Sequence, residues 1–143
     1  MRGFNPNKRF LKLGVLTSSF GEPTNQEVAH GGIDIANDMG TSIPSVTDGI
    51  VTKVEDGHSQ GDNNFGNSIE IKDREGNIAQ YNHLQRIGVR LGQQVKKRSQ
   101  IATMGNTGAT SSPSGMGDGT HLDLRIVSAY GRYLNPLLYL KDL

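Results

Sequence analysis

His30, Asp34, His83, His121 and Asp123 are the side chains of this 143-residue chain whose types and settings could do chemistry. Imidazoles and carboxylates bind divalent cations, and an imidazole also carries protons near neutral pH. The stretch Gly119-Thr120-His121-Leu122-Asp123-Leu124-Arg125-Ile126 alternates polar and apolar residues, the pattern of a half-buried strand. Leu122, Leu124 and Ile126 are expected to face a core, and His121, Asp123 and Arg125 the opposite side. Positions i and i+2 on one face lie about 6–7 Å apart. At that spacing two side chains can converge on one ion, or one can bind it while the other contacts what the ion holds. Taken alone, the segment reads equally as an amphipathic strand with a polar outer face. In His30-Gly31-Gly32-Ile33-Asp34-Ile35-Ala36 the two glycines let the backbone turn sharply and approach a neighbour, so His30 and Asp34 could point to one place.

These residues need elements to carry them, and the totals say which kind. There are 19 glycines and few aromatics, which favours a turn-rich β fold over a helical bundle. Short strands are expected at 33–36, 43–46, 49–54, 67–72, 78–84, 92–95 and 100–105, with 43–46 and 49–54 linked by a hairpin-type turn at Thr47-Asp48-Gly49. On the strand Ile78–Leu84, Gln80 and Asn82 share one face, and Tyr81 and His83 the other. A short closing helix is expected at 134–140, with Pro136 in its first turn. The expected fold is mainly β with few helices: a twisted antiparallel sheet or open barrel-like sandwich. Residues 1–18 read as an N-terminal arm or edge strand, and 19–143 as the domain. His58, in the polar loop Asp56–Asn64, reads as solvent-exposed, and Arg125 as a plain surface charge, with pairing to Asp123 or to a substrate carboxylate as the lesser reading.

A net charge of +1 implies no general attraction to nucleic acid. The absence of cysteine removes disulfides and thiolate ligands, so any metal must be held by His, Asp or Glu. No apolar run approaches the roughly 20 residues of a membrane span, and Met1 to Phe10 has no apolar signal-peptide core.

The set His30-x-x-x-Asp34, Tyr81-Asn82-His83-Leu84 and His121-Leu122-Asp123 resembles the M23 family of zinc metallopeptidases, the lysostaphin and LytM-like peptidoglycan endopeptidases. Thr47-Asp48-Gly49-Ile50-Val51, Phe65-Gly66-Asn67-Ser68-Ile69, Met104-Gly105-Asn106-Thr107-Gly108 and Asn135-Pro136 are similar to further family segments, in the family's order. The resemblance implies a twisted antiparallel sheet with a groove holding one Zn2+ or another divalent ion. It implies His30, Asp34 and Asp123 as metal ligands, with His83 and His121 as catalytic non-ligands, either of which could be the base. The family has His where this chain has Asp123. A His, Asp, Asp set cancels the charge of a dication, which predicts weaker or less selective metal binding and a higher pH optimum.

The implied activity is metal-dependent hydrolysis of peptide cross-links in bacterial peptidoglycan. The alternative is a degenerate LytM-like domain that binds cell wall or activates another hydrolase. The implied partner is a peptidoglycan peptide, the setting extracellular, cell-wall or phage-virion, with a module of a larger protein or phage particle as one form, and the isolated domain monomeric. The loops 55–64 and 106–119 are expected to border the groove.

Overall fold

Alternating apolar residues in short runs, broken by glycine and polar turns, become twelve strands in the computed structural model, which describes residues 9–23, 29–61, 64–110, 118–141 and 143. In chain order these are β1 (Arg9–Leu11), β2 (Gly14–Ser18), β3 (Ile33–Ala36), β4 (Ser42–Pro44), β5 (Gly49–Glu55) and β6 (Ser68–Lys72). They continue as β7 (Ile78–Asn82), β8 (Leu84–Ile87), β9 (Gln94–Val95), β10 (Gln100–Met104), β11 (Leu122–Val127) and β12 (Tyr133–Leu134). The closing helix is a single 3-10 turn, Pro136–Tyr139, which Asn135 caps by accepting a hydrogen bond from the Leu137 N–H.

Nine strands form one antiparallel sheet in the order β1-β2-β3-β11-β7-β6-β5-β9, with β12 also beside β11. The chain therefore has the twisted antiparallel architecture expected of it. Strand β11 is central. Its residues Leu122 to Leu124 pair with β3 on one edge, and Asp123 to Val127 pair with β7 on the other. Its apolar positions Leu122, Leu124 and Ile126 are wholly buried, in one cluster with Ile33, Ile35, Ile69, Ile71 and Tyr81. Each such aliphatic side chain contributes roughly 1.5–3 kcal/mol on leaving water. One face of β11 is thus anchored, and its alternate residues must use the other.

Two expectations about connectivity differ from the structure. Segments 43–46 and 49–54 do not make a hairpin: β4 belongs to a second, three-stranded sheet, β4-β10-β8, while β5 pairs with β6 and β9. The expected strand 78–84 is also two strands in two sheets, divided at His83. His83 has a left-handed backbone, φ 63°, a conformation uncommon for residues other than glycine. Its N–H donates to the Phe65 carbonyl at 2.8 Å and that of Leu84 to the Asn67 carbonyl at 2.9 Å, so the backbone keeps partners as it leaves the first sheet. A hydrophobic pattern registers two apolar-flanked runs but not the single residue that turns between them.

Candidate metal centre

Register brings the first two carboxylates together. Asp34 on β3 lies directly across from Asp123 on β11, and Asp123 lies across from Asn82 on β7. Residues paired this way project from the same face, so three adjacent strands present a row of two carboxylates and a carboxamide. His30 enters from the turn before β3. Its Nε2 lies 3.5 Å from Asp34 Oδ1 and 3.9 Å from Asp123 Oδ1. One donor atom from each of His30, Asp34 and Asp123 falls within 4.8 Å of the others, spacing that a single ion could bridge.

The surroundings aim these atoms. His30 Nδ1 is 3.1 Å from Ser18 Oγ, which leaves Nε2 turned to the carboxylates. That is the support a metal-binding imidazole ordinarily has. Asp34 Oδ1 is buried and has no hydrogen-bond partner among the described residues. Burial first, then the charge of Asp123, pushes the Asp34 carboxyl up to about 6, against the pull of His121 and His30. Burial also opposes charge on His30 and on Asp123, but their mutual attraction outweighs it, with Asp34 adding to His30 and Arg125 to Asp123. The imidazole is raised and the Asp123 carboxyl lowered. An orphaned carboxylate oxygen facing a second carboxylate and an imidazole nitrogen is a donor set that suits a divalent cation.

His83 and His121 stand beside this cluster, ring centroids 4.7 Å apart and planes tilted by 52°. His83 Nδ1 is 2.7 Å from the Thr107 carbonyl, and His121 Nδ1 is 2.8 Å from the Gly119 carbonyl. A carbonyl only accepts, so each Nδ1 carries the proton and each neutral ring has its lone pair on Nε2. His121 Nε2 reaches to 3.8 Å from Asp34 Oδ1. Burial first, and then the proximity of His121, pulls His83 down to about 4, so its ring is neutral at pH 7. A regular strand would send His83 to the core side with Tyr81; the left-handed backbone is what brings its ring beside His121 instead. Gly66 makes this possible. It too is left-handed, φ 63°, and a Cβ there would sit 2.4 Å from the Thr107 carbonyl carbon.

Two neighbours of the site carried weaker sequence signals. Arg125 is not a surface charge: it is 5% exposed and donates to both oxygens of Asp123, from Nη2 at 3.0 Å and from Nε at 3.1 and 3.3 Å. Its i+2 spacing from Asp123 was the available clue. Asn82 is wholly buried, and neither carboxamide atom has a hydrogen-bond partner among the described residues. Nothing local marks it; only its register with Asp123 does. His58 is half-buried rather than exposed. Its side chain is 21% exposed and its Nε2 lies 2.9 Å from Glu55 Oε2, at the base of its loop. The two loops expected to border a groove meet through a bridge between Gln60 and Gly108, and Gln60 Nε2 also donates to the Asp118 carbonyl at 3.0 Å. Ser111 to Gly117 lie outside the described residues.

A β-sheet carrying a His/Asp cluster able to hold one cation, flanked by two paired imidazoles, defines the class. The chain belongs to peptidase family M23, whose family model matches residues 28–136. It is 35% identical over 132 residues to the murein hydrolase activator NlpD of Escherichia coli strain K12, covering 92% of this chain and 31% of that protein. It is 37% identical over 91 residues to the peptidoglycan DD-endopeptidase ShyC of Vibrio cholerae, covering 63% of this chain and 20% of that one. Among solved structures it is similar to a zinc containing peptidase from Vibrio cholerae, with TM-score 0.65 and 26% identity, over 92% of this chain and 36% of that chain. The chain therefore spans less than a third of the length of either named relative.

Proposed function

We propose that this domain is a metal-dependent endopeptidase acting on peptide cross-links of bacterial peptidoglycan. His30, Asp34 and Asp123 would hold one Zn2+, and His83 and His121 would handle protons. The observation that carries the reading is the mutual approach of one donor atom from each of His30, Asp34 and Asp123, with the buried Asp34 Oδ1 lacking a hydrogen-bond partner among the described residues. A divalent cation at that point supplies Lewis acidity, polarising a carbonyl and making a water easier to deprotonate.

The chain's own side chains do the rest. The Thr107 and Gly119 carbonyls fix both flanking rings with Nε2 as the basic nitrogen. One of them accepts a proton from the attacking water at Nε2 and later gives one to the leaving amine. Two rings 4.7 Å apart disfavour positive charge on both, so the proton taken from water sits on one Nε2 at a time. The ring that carries it stabilises negative charge developing on the scissile carbonyl oxygen.

A second reading has its own support. The similarity to NlpD, named as a hydrolase activator, and the replacement of a family His by Asp123 favour a domain that regulates another hydrolase without cutting. Bound metal and release of new amino termini from purified peptidoglycan, with and without chelator, separate the two. Chelator-sensitive release is the expected result. A protein that binds no zinc and releases nothing is the activator.

A further inference from the structure

We propose that Arg125 is a positioning residue that makes Asp123 behave as a charge-neutral metal ligand, the two side chains acting as one unit. This rests on the proposed metal site. Three observations support it. The Arg125 fork grips the Asp123 carboxylate through Nη2 and Nε, so the carboxylate cannot swing; Oδ1, the oxygen 3.9 Å from His30 Nε2, stays turned to the site. The guanidinium is itself held in place, its Cζ 4.9 Å from the centre of the Phe65 ring and 5.8 Å from that of Tyr133. Finally, the backbone has been left open for it. A Cβ at Gly31 would come within 3.1 Å of Arg125 Nη1, and one at Gly32, besides meeting the Leu124 carbonyl oxygen at 2.4 Å, would come within 2.6 Å of Arg125 Cγ.

The consequence is electrostatic. A bare His, Asp, Asp set gives a cation two negative charges. With the buried guanidinium on Asp123 the sum falls to one, as if position 123 held a neutral imidazole. The expectation of a charge-cancelled site, drawn from Asp123 alone, therefore does not apply to the pair. It also follows that an imidazole at 123 suits this site only if Arg125 is neutralised as well. Otherwise a guanidinium that has lost its counter-charge faces the dication from a few ångströms away, in surroundings that screen poorly.

The test is Zn2+ titration of the purified chain, with a chromophoric chelator as competitor. Asp123→His should weaken Zn2+ binding at least tenfold, and adding Arg125→Gln should restore it to within about threefold of wild type. Equal or tighter binding by Asp123→His with Arg125 in place would overturn the inference, as would a double variant no better than the single one. Should Asp123→His fold poorly, Arg125→Lys serves, since it keeps the charge but has no planar two-nitrogen fork to fix the orientation of the carboxylate. It should weaken Zn2+ binding at least threefold and change the visible spectrum of the Co2+-loaded protein; an unchanged affinity and spectrum would overturn the proposal. Failure of the wild type to bind Zn2+ would instead remove the metal site, and this inference with it.

Discussion

Asp34 sits directly across the sheet from Asp123, and a single nitrogen of His30 lies 3.5 Å from one carboxylate and 3.9 Å from the other. Two acids facing each other, Asp123 buried and Asp34 half-buried, repel when both are ionised. The cost appears in Asp34, whose carboxyl is pushed up to about 6 by burial and then by Asp123.

The first prediction concerns the metal-free protein. A carboxyl raised on folding favours the folded state fully below its ordinary pKa near 4, and that contribution is lost as pH rises through 6. Asp34→Asn should therefore stabilise the chelated protein above pH 6, by up to about 3 kcal/mol, and make no difference below pH 4. Zn2+ should raise the melting temperature of the wild type and leave that of this variant unchanged. Thermal melts across pH, with chelator and with zinc, measure both.

His83 has the opposite sign. Its ring is lowered to about 4 by burial and by His121, so its contribution to stability is present above pH 6.5 and lost as pH falls from there toward 4. Wild-type stability should drop more steeply over that interval than that of His83→Gln. An NMR titration should find the His83 ring neutral at pH 6.

His83→Ala should lower turnover on peptidoglycan by about 10²- to 10⁴-fold, the range for losing a proton-transfer group. Its Zn2+ affinity should stay within about threefold of wild type. A large loss of affinity would make His83 a ligand rather than a proton carrier.

Gly66→Ala tests whether the position of His83 depends on its support. The added methyl would collide with the Thr107 backbone, whose carbonyl holds His83 Nδ1. The expected cost is about 1–3 kcal/mol of stability, with a fall in turnover and unchanged zinc binding. Turnover at wild-type level would show that the Thr107 contact does not matter.

Asn82 buries both atoms of its carboxamide without a partner, a state that costs about 1–3 kcal/mol. Asn82→Leu should leave the metal-free protein as stable or more so, and reduce turnover if the carboxamide serves the site from its place beside Asp123. Full activity in a stabilised variant would make Asn82 a dispensable polar residue.

Some of this protein was legible in the order of its residues, because the signals are local. The alternation of Leu122, Leu124 and Ile126 with polar neighbours marked β11, since a strand's faces follow from a period of two. Histidines and acids at motif spacing named the five side chains, and the run of short strands between glycine turns announced a β fold. What stayed hidden depends on contacts between distant segments. Asp34 meets Asp123 through the β3–β11 register, which no stretch of chain specifies by itself. His83 reaches the site through a left-handed backbone that Phe65, Asn67 and Thr107 support from elsewhere in the sequence. Arg125 looks like a solvated charge until Gly31, Gly32, Phe65 and Tyr133 close around it. Residue type and periodicity are properties of a segment, whereas charge compensation and aim are properties of what packs against it, and those only the folded chain decides.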